Sequence, residues 1–195
     1  MTSSTARIRP APMTGVFGAI VKRFSVQMLG DVAEPVAVAW HNRKVLNFSF
    51  LVGRKAAKWD QCDENLKSFA HMAVAAQVGC SWCLDFGYFH SHNEGLDERK
   101  ASQVPVWRTS DVFSPLERDV MAYAEAMTAT PPTVTDDQFA GLLHQLGEPA
   151  MVELTTFVAL ANLYSRSNVA MGIESQGFSS ACELELARPE LASRP

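Results

Sequence analysis

Cys80 and Cys83 stand three positions apart in the stretch VGCSWCLDFGYFH, residues 78–90, and are the side chains best suited to carry chemistry. A thiol reacts as its thiolate, and an ordinary cysteine is mostly protonated at neutral pH, so something must stabilise the anion. At the first turn of a helix the unpaired N–H groups and the macrodipole do this. The two-residue spacer also lets the sulfurs come within disulfide reach, so a sulfur that attacks an oxidant has a resolving partner beside it. In peroxide reduction the attack yields a sulfenic acid, which the second cysteine condenses to a disulfide. Metal ligation and incidental packing are the other readings of this spacing. A zinc site needs further ligands, and only His90 and His92 lie nearby. Residues two apart on a helix point about 200° apart, so these two cannot readily share an ion with both cysteines. No metal is expected. The βαβ pattern around a thioredoxin-type pair is missing as well, which calls for another redox fold.

The elements that must position the pair are helices, because 3.6-residue periodicity dominates and strand-like alternation is scarce. Glu34 and Pro35 open a short helix to about His41, and an apolar segment continues from Val45 to about Trp59. Asp63 is an N-cap for a helix whose Leu66, Phe69, Ala70, Ala73 and Val74 share one face. Gln77 ends that apolar face, and a buried amide there would need a partner. Gly79 breaks the helix, the next runs from about Ser81 to Asn93 with Gly95 at its end, and the cysteines therefore sit at a helix N-terminus. Asp97 caps a short helix ending before Pro105. Ser114, Pro115 and Glu117 form a capping box whose helix Pro131 and Pro132 follow. Thr135 with Gln138 opens another to Gly147, and a long apolar helix runs from about Pro149 to Met171. The expected fold is all-α with seven or eight helices. Residues 1–32 read as an N-terminal docking arm, 33–175 as the helical domain and 176–195 as a C-terminal tail.

At 195 residues the chain buries a core without staples, and four cysteines are too few for a disulfide scaffold, which points to a reducing, cytoplasmic setting. The formal charge of −4 is mixed in sign along the chain, so nothing resembles a phosphate-backbone stripe and nucleic acid is not an expected partner. No apolar run is long enough to cross a membrane. Neither a G-x-G-x-x-G turn nor a P-loop occurs, and no cofactor is expected.

Three segments together, SFAHMAVAAQVGCSWCLDFG, FSPLERDVMAYAEAMT and NLYSRSNVAMGIESQGF, resemble the carboxymuconolactone decarboxylase family in its alkylhydroperoxidase D-like branch. The resemblance spans about residues 35–180. It implies an all-helical homo-oligomer (dimer, trimer or hexamer) with thiol-dependent peroxidase activity, Cys83 attacking the peroxide and Cys80 resolving. The family pattern has a glutamate twelve residues before the first cysteine and a histidine four after the second. Ser68 and Gly87 stand there, and neither is a base at pH 7.

Other groups must then handle the proton. Asp85 lies in the same first turn and can accept one, or can act as a helix-cap carboxylate. His90 is two turns past Cys83 on the same side and could reach it through water. Glu64, Ser68 and His71 form a polar stripe that would face the cysteines in the family orientation, or would be a solvated face. Trp82 can shield the thiols. Glu125 with Arg118 reads as a surface ion pair, Asn162, Arg166 and Asn168 as structural hydrogen-bonding groups, and Cys62 and Cys182 as ordinary thiols. The function these residues favour is reduction of a small peroxide or a disulfide, with an external dithiol as reductant. The alternatives are a lactone decarboxylase, which the cysteine pair argues against, and a non-catalytic binding or assembly protein, which loss of the relay argues for.

Overall fold

The computed structural model describes residues 4–187, which form nine α-helices and two 3₁₀ turns with no strand. These are α1 (Gly15–Leu29), α2 (Glu34–Ala39), α3 (Arg43–Ala56), α4 (Glu64–Val78), α5 (Ser81–Asn93), α6 (Glu98–Ala101), α7 (Pro115–Thr128), α8 (Asp136–Leu146) and α9 (Glu148–Met171). The 3₁₀ turns are Val104–Val106 and Phe178–Ala181. Eight of the nine α-helices are those the sequence leads one to expect; α1 is additional. Its apolar residues Val16, Ile20 and Phe24 face solvent, so no core-facing stripe marks it.

The caps follow their residue types. Asp63 accepts the N–H groups of Asn65 and Leu66 at the start of α4, and Ser114 and Glu117 form a reciprocal box on α7. Each such cap contributes about 1 kcal/mol. Gly79 ends α4 at φ +79°, a backbone conformation that costs other residues strain, and so frees Cys80 to start α5 at once.

Helix α4 is the axis of the fold. Phe69, Ala70, Met72, Ala73, Val74 and Ala75 are all without exposure, because α5, α7 and α9 surround the helix. Gln77 is not among the buried residues: it is exposed, and its amide donates to the Glu125 carbonyl at 3.2 Å. Polar contacts set the register on two sides. Against α5 the helices run antiparallel, with Ser68 meeting Ser91, Met72 meeting Gly87, and Ala75 packing on Cys80 and Cys83. Against α9 they run parallel, with Lys67 on Glu153 and His71 on Phe157. Lys67 Nζ is held by Glu153 at 2.8 Å, the Trp59 carbonyl at 2.6 Å and Glu64 at 2.7 Å. Glu153 also accepts the N–H groups of Gln61 and Cys62, which fastens the linker before α4 to α9.

The N-terminal residues lie along the body. Arg7 N–H donates to the Met171 carbonyl and Ala11 N–H to that of Ala37. The part of the proposed tail within the described residues packs on α5, and Phe178 is buried. Residues 1–3 of the arm and 188–195 of the tail lie outside the described residues.

Candidate active site

Cys80 and Cys83 are joined as a disulfide with Cα atoms 5.3 Å apart, and both are buried, at 1% and 2% exposure. Cys80 is the N-cap of α5, and its Sγ accepts the Cys83 N–H at 3.2 Å. The helix-terminal N–H expected to serve Cys83 therefore points at Cys80. The Sγ of Cys83 instead receives the Asn168 amide N–H at 3.3 Å, from the last turns of α9.

Asp85 is buried with its carboxylate turned away from the cysteines. It accepts Ser175 Oγ–H at 2.8 Å and the N–H groups of Gly177, Phe178 and Ser179 at 2.8, 3.0 and 2.7 Å. This corrects the expectation of Asp85 as a base for Cys83: its lone pairs are taken by four donors from the segment after α9. The helix-cap alternative is close in kind, since backbone N–H groups are satisfied, but they belong to another segment. The same segment touches the two residues between the cysteines. Ser175 N–H donates to Ser81 Oγ at 3.1 Å, and Trp82 Nε1–H donates to Gln176 Oε1 at 2.9 Å. Gln176 also takes the Glu34 N–H and donates to the Val32 carbonyl. Trp82, half-buried, stacks on Phe86 at 5.0 Å and meets Phe178 edge-on. Two open clefts of about 680 and 490 Å³ flank the region, the first beside Ser175 and Gln176, the second between Val78 and Arg166, and neither is lined by a cysteine.

The missing relay histidine has a physical counterpart. A β-carbon at Gly87 would stand 3.1 Å from Met72 Cγ and 3.6 Å from the His71 ring. His71, reaching across from α4, thus lies against the space that a side chain at position 87 would take. Desolvation, with the nearby His90 adding to it, pushes His71 down to about 4, so its imidazole is neutral at pH 7. His90 is exposed and stacked on Phe86 at 5.9 Å, in line with Trp82 along α5. It makes no hydrogen bond to either cysteine. The polar stripe of α4 divides: Ser68 bonds Ser91 at 2.5 Å and His71 faces α5, whereas exposed Glu64 turns back to the buried Lys67.

Of the remaining groups, Glu125 pairs with Arg108 and accepts Trp107 Nε1–H, while Arg118 donates to the carbonyls of Trp107 and Ser110, so Glu125 and Arg118 are not partners. Burial pushes the Cys62 thiol up to about 11, with Glu153 adding to the effect, and burial does the same at Cys182 with help from Glu98. Both are poor nucleophiles. Among the described residues, one group has donors near enough to share a cation: His92, Glu98 and Cys182, within 4.8 Å of one another. Glu98 already accepts from His92, Tyr88 and the N–H groups of Glu183 and Leu184, which accounts for the cluster without an ion.

Fold and site together define an all-helical protein with a CxxC disulfide at the start of a helix. The chain belongs to the carboxymuconolactone decarboxylase family, whose model matches residues 49–126. YnjA of Escherichia coli (strain K12), an uncharacterized protein, is 33% identical over 151 residues, which is 76% of this chain and 82% of that one. In fold the chain is similar to the debrominase Bmp8, with a TM-score of 0.75 at 20% identity, covering 93% of this chain and 96% of the other. It is similar also to an alkylhydroperoxidase AhpD core, a peroxidase-related protein from Ralstonia eutropha JMP134, with a TM-score of 0.72 at 15% identity over 87% and 93% of the two chains. The fold is AhpD-like.

Sequence reasoning found the cysteines and missed what surrounds them. Asn168 was legible as a polar interruption of an apolar helix, but nothing local tied it to Cys83, 85 residues away. Gln176 and the donors to Asp85 fall where no periodicity exists to read.

Proposed function

We propose that the chain is a thiol-dependent peroxidase or thiol–disulfide oxidoreductase in which Cys80 and Cys83 cycle between dithiol and disulfide. The observation that carries this reading is a bonded pair in which each sulfur has its own donor, Cys83 N–H for Cys80 and the Asn168 amide for Cys83. Such donors favour the thiolate over the thiol when the pair is reduced. With a hydroperoxide, the Cys83 thiolate attacks one oxygen, an S–O bond forms, the O–O bond breaks, and the alkoxide leaves as alcohol after taking a proton. Cys80 then attacks the sulfenic sulfur and hydroxide leaves as water, so two electrons pass from the dithiol to the peroxide. An external dithiol restores the pair by exchange. His71, whose ring lies against Gly87 one turn past Cys83 and is neutral at pH 7, is the proton acceptor in this reading. Apolar side chains left exposed on α1, α3 and α9, among them Ile20, Phe24, Phe48 and Val152, support a homo-oligomer.

The test is a thiol count on reduced protein before and after stoichiometric hydroperoxide. Loss of two of four thiols, abolished in Cys83→Ser, is expected. Four thiols left intact by both hydroperoxide and oxidised glutathione overturn the reading. A parallel arm with 2,3,4-tribromopyrrole, which was bound in a crystal structure of a Bmp8 variant, asks whether the dithiol prefers a brominated aromatic acceptor.

A further inference from the structure

Helix α9 carries two polar residues on the face buried against α4 and α5 near its C-terminal end, Ser165 and Asn168. Asn168 donates to Cys83 Sγ at 3.3 Å. Ser165 is fully buried, and its hydroxyl has no hydrogen-bond partner among the described residues. That is unusual on this helix, where Thr155, Thr156 and Ser167 each bond the carbonyl four residues back. A buried hydroxyl without a partner destabilises the fold. The register says what it faces. Lys67 meets Glu153 and His71 meets Phe157, both 86 positions apart, so one and two turns on Ala161 stands level with Ala75 and Ser165 with Gly79, next to Cys80.

We propose that α9 supplies a donor for each sulfur of the reduced pair, the Asn168 amide stabilising the Cys83 thiolate and the Ser165 hydroxyl, idle while the disulfide is closed, turning to Cys80 when the bond opens. This rests on the dithiol reading above and identifies Asn168 as a catalytic residue, since it touches the reacting sulfur. It also accounts for how a site that lacks the family's carboxylate and histidine next to the cysteines can hold an anion. A hydroxyl rotor and a carboxamide satisfy a thiolate without placing a charge in the core, and neither obstructs disulfide closure. The Cys83 N–H remains with Cys80 Sγ, so Cys80 has two donors and Cys83 one from outside its own helix.

The experiment follows iodoacetamide alkylation of the reduced protein across pH 5–10, with each cysteine read separately by mass spectrometry, in wild type, Asn168→Ala, Asn168→Asp and Ser165→Ala. Asn168→Ala is expected to slow Cys83 alkylation at pH 7 about tenfold, one pKa unit, while Cys80 changes less. Asn168→Asp keeps the shape, removes the donors and adds an anion, so the slowing must be greater. Ser165→Ala is expected to slow Cys80 and spare Cys83. A merely structural Asn168 would lower the melting temperature of both variants and leave the Cys83 profile in place. That result, or a shift at Cys80 instead, overturns the proposal. These profiles need no oxidant, so a shifted Cys83 in a protein whose thiols ignore peroxide refutes the enzymatic reading while this assignment stands.

Discussion

Asp85 holds the segment that packs on Ser81 and Trp82, the two residues between the cysteines, and Asp85→Asn should loosen it. The carboxylate accepts four hydrogen bonds from residues 175–179, three of them from backbone N–H groups, of which only that of Gly177 has a second acceptor, Ser175 Oγ. An asparagine has one acceptor oxygen; in the place of Oδ2 it keeps the Ser175, Gly177 and Phe178 bonds as neutral ones and turns its NH₂ toward the Ser179 N–H, so one bond is lost and three lose their charge. A hydrogen bond to a charged group is worth about 1.5–3 kcal/mol and a neutral one about 1, so one lost bond at the lower figure and three weakened by about 0.5 each give a loss of about 3 kcal/mol. At about 1.4 kcal/mol per decade this raises the open population of the segment roughly a hundredfold. Two readouts separate local from global effects. Amide exchange at Gly177, Phe178 and Ser179 should accelerate by about that factor, while amides in the middle of α4 exchange with at most a few-fold change. The rate at which dithiothreitol reduces the disulfide under native conditions should rise in parallel, because the cysteines are almost without exposure when the segment is down. Unchanged exchange at 177–179 would refute the anchoring role. Faster exchange with an unchanged reduction rate would instead mean that the reductant enters from the opposite side, through the 490 Å³ cleft between Val78 and Arg166.

Three further outcomes are expected. Lys67→Met leaves the Glu153 carboxylate buried with only the Gln61 and Cys62 N–H groups, and should cost about 3–5 kcal/mol by urea denaturation; adding Glu153→Leu should recover most of it, and a single-variant loss below about 1 kcal/mol would count against the pair. The His71 imidazole is held down to about 4 against 6.5 when exposed, so its contribution to stability is intact above pH 6.5 and is lost as pH falls toward 4. Allowing for a half-buried ring, His71→Gln should remove about 1–2 kcal/mol of the acid-side loss measured at pH 5. Position 87 and residue 71 share one volume: Gly87→Ala should be mild because a flexible Met72 can give way, whereas Gly87→His should cost about 1–3 kcal/mol from overpacking and be relieved by His71→Ala, as read from melting temperatures.

What the sequence discloses about this fold tracks how local the cause is. Asp63, Ser114 with Glu117, Thr135 and the glycines at 79 and 147 act within one turn of themselves, and each helix boundary they predict is present. The apolar face of α4 is equally local, a spacing of three and four residues. Asp85 shows the limit. Position in the first turn of α5 indicates a carboxylate near a helix start, but the four groups that claim it lie 90–94 residues on, in a stretch with no periodicity. Helix α1 was illegible for a different reason, because most of its apolar residues face solvent while Phe17 and Val21 meet a small cluster around Trp40, which leaves a weak inward pattern. Glu125 illustrates competition: Arg118, two turns back, is a plausible partner by spacing, yet Arg108 and Trp107 reach it from the preceding loop.

The loss of a relay histidine at position 87 does not empty the site of imidazole, and the exchange has a chemical consequence. On α5 a histidine one turn past Cys83 would point along the same helix face as the sulfur and could be charged near neutral pH. On α4 the His71 ring is desolvated and has His90 for a neighbour, so it stays neutral until about pH 4. A neutral imidazole can take a proton from a thiol or return one to a leaving alkoxide, but it cannot hold a thiolate by charge. In the proposed cycle the electrostatic part of that task falls to dipoles, namely the first turn of α5 at Cys80 and the Asn168 amide at Cys83. In the proposed dithiol cycle, charge stabilisation and proton transfer would then fall to different helices, α9 and α5 for the first and α4 for the second. A pH–rate profile should then show one rising limb, from thiol ionisation, with no fall between pH 6 and 8 from deprotonation of an imidazolium. A bell with a second limb in that window would return the stabilising charge to a histidine, and His90 would be the one left to supply it.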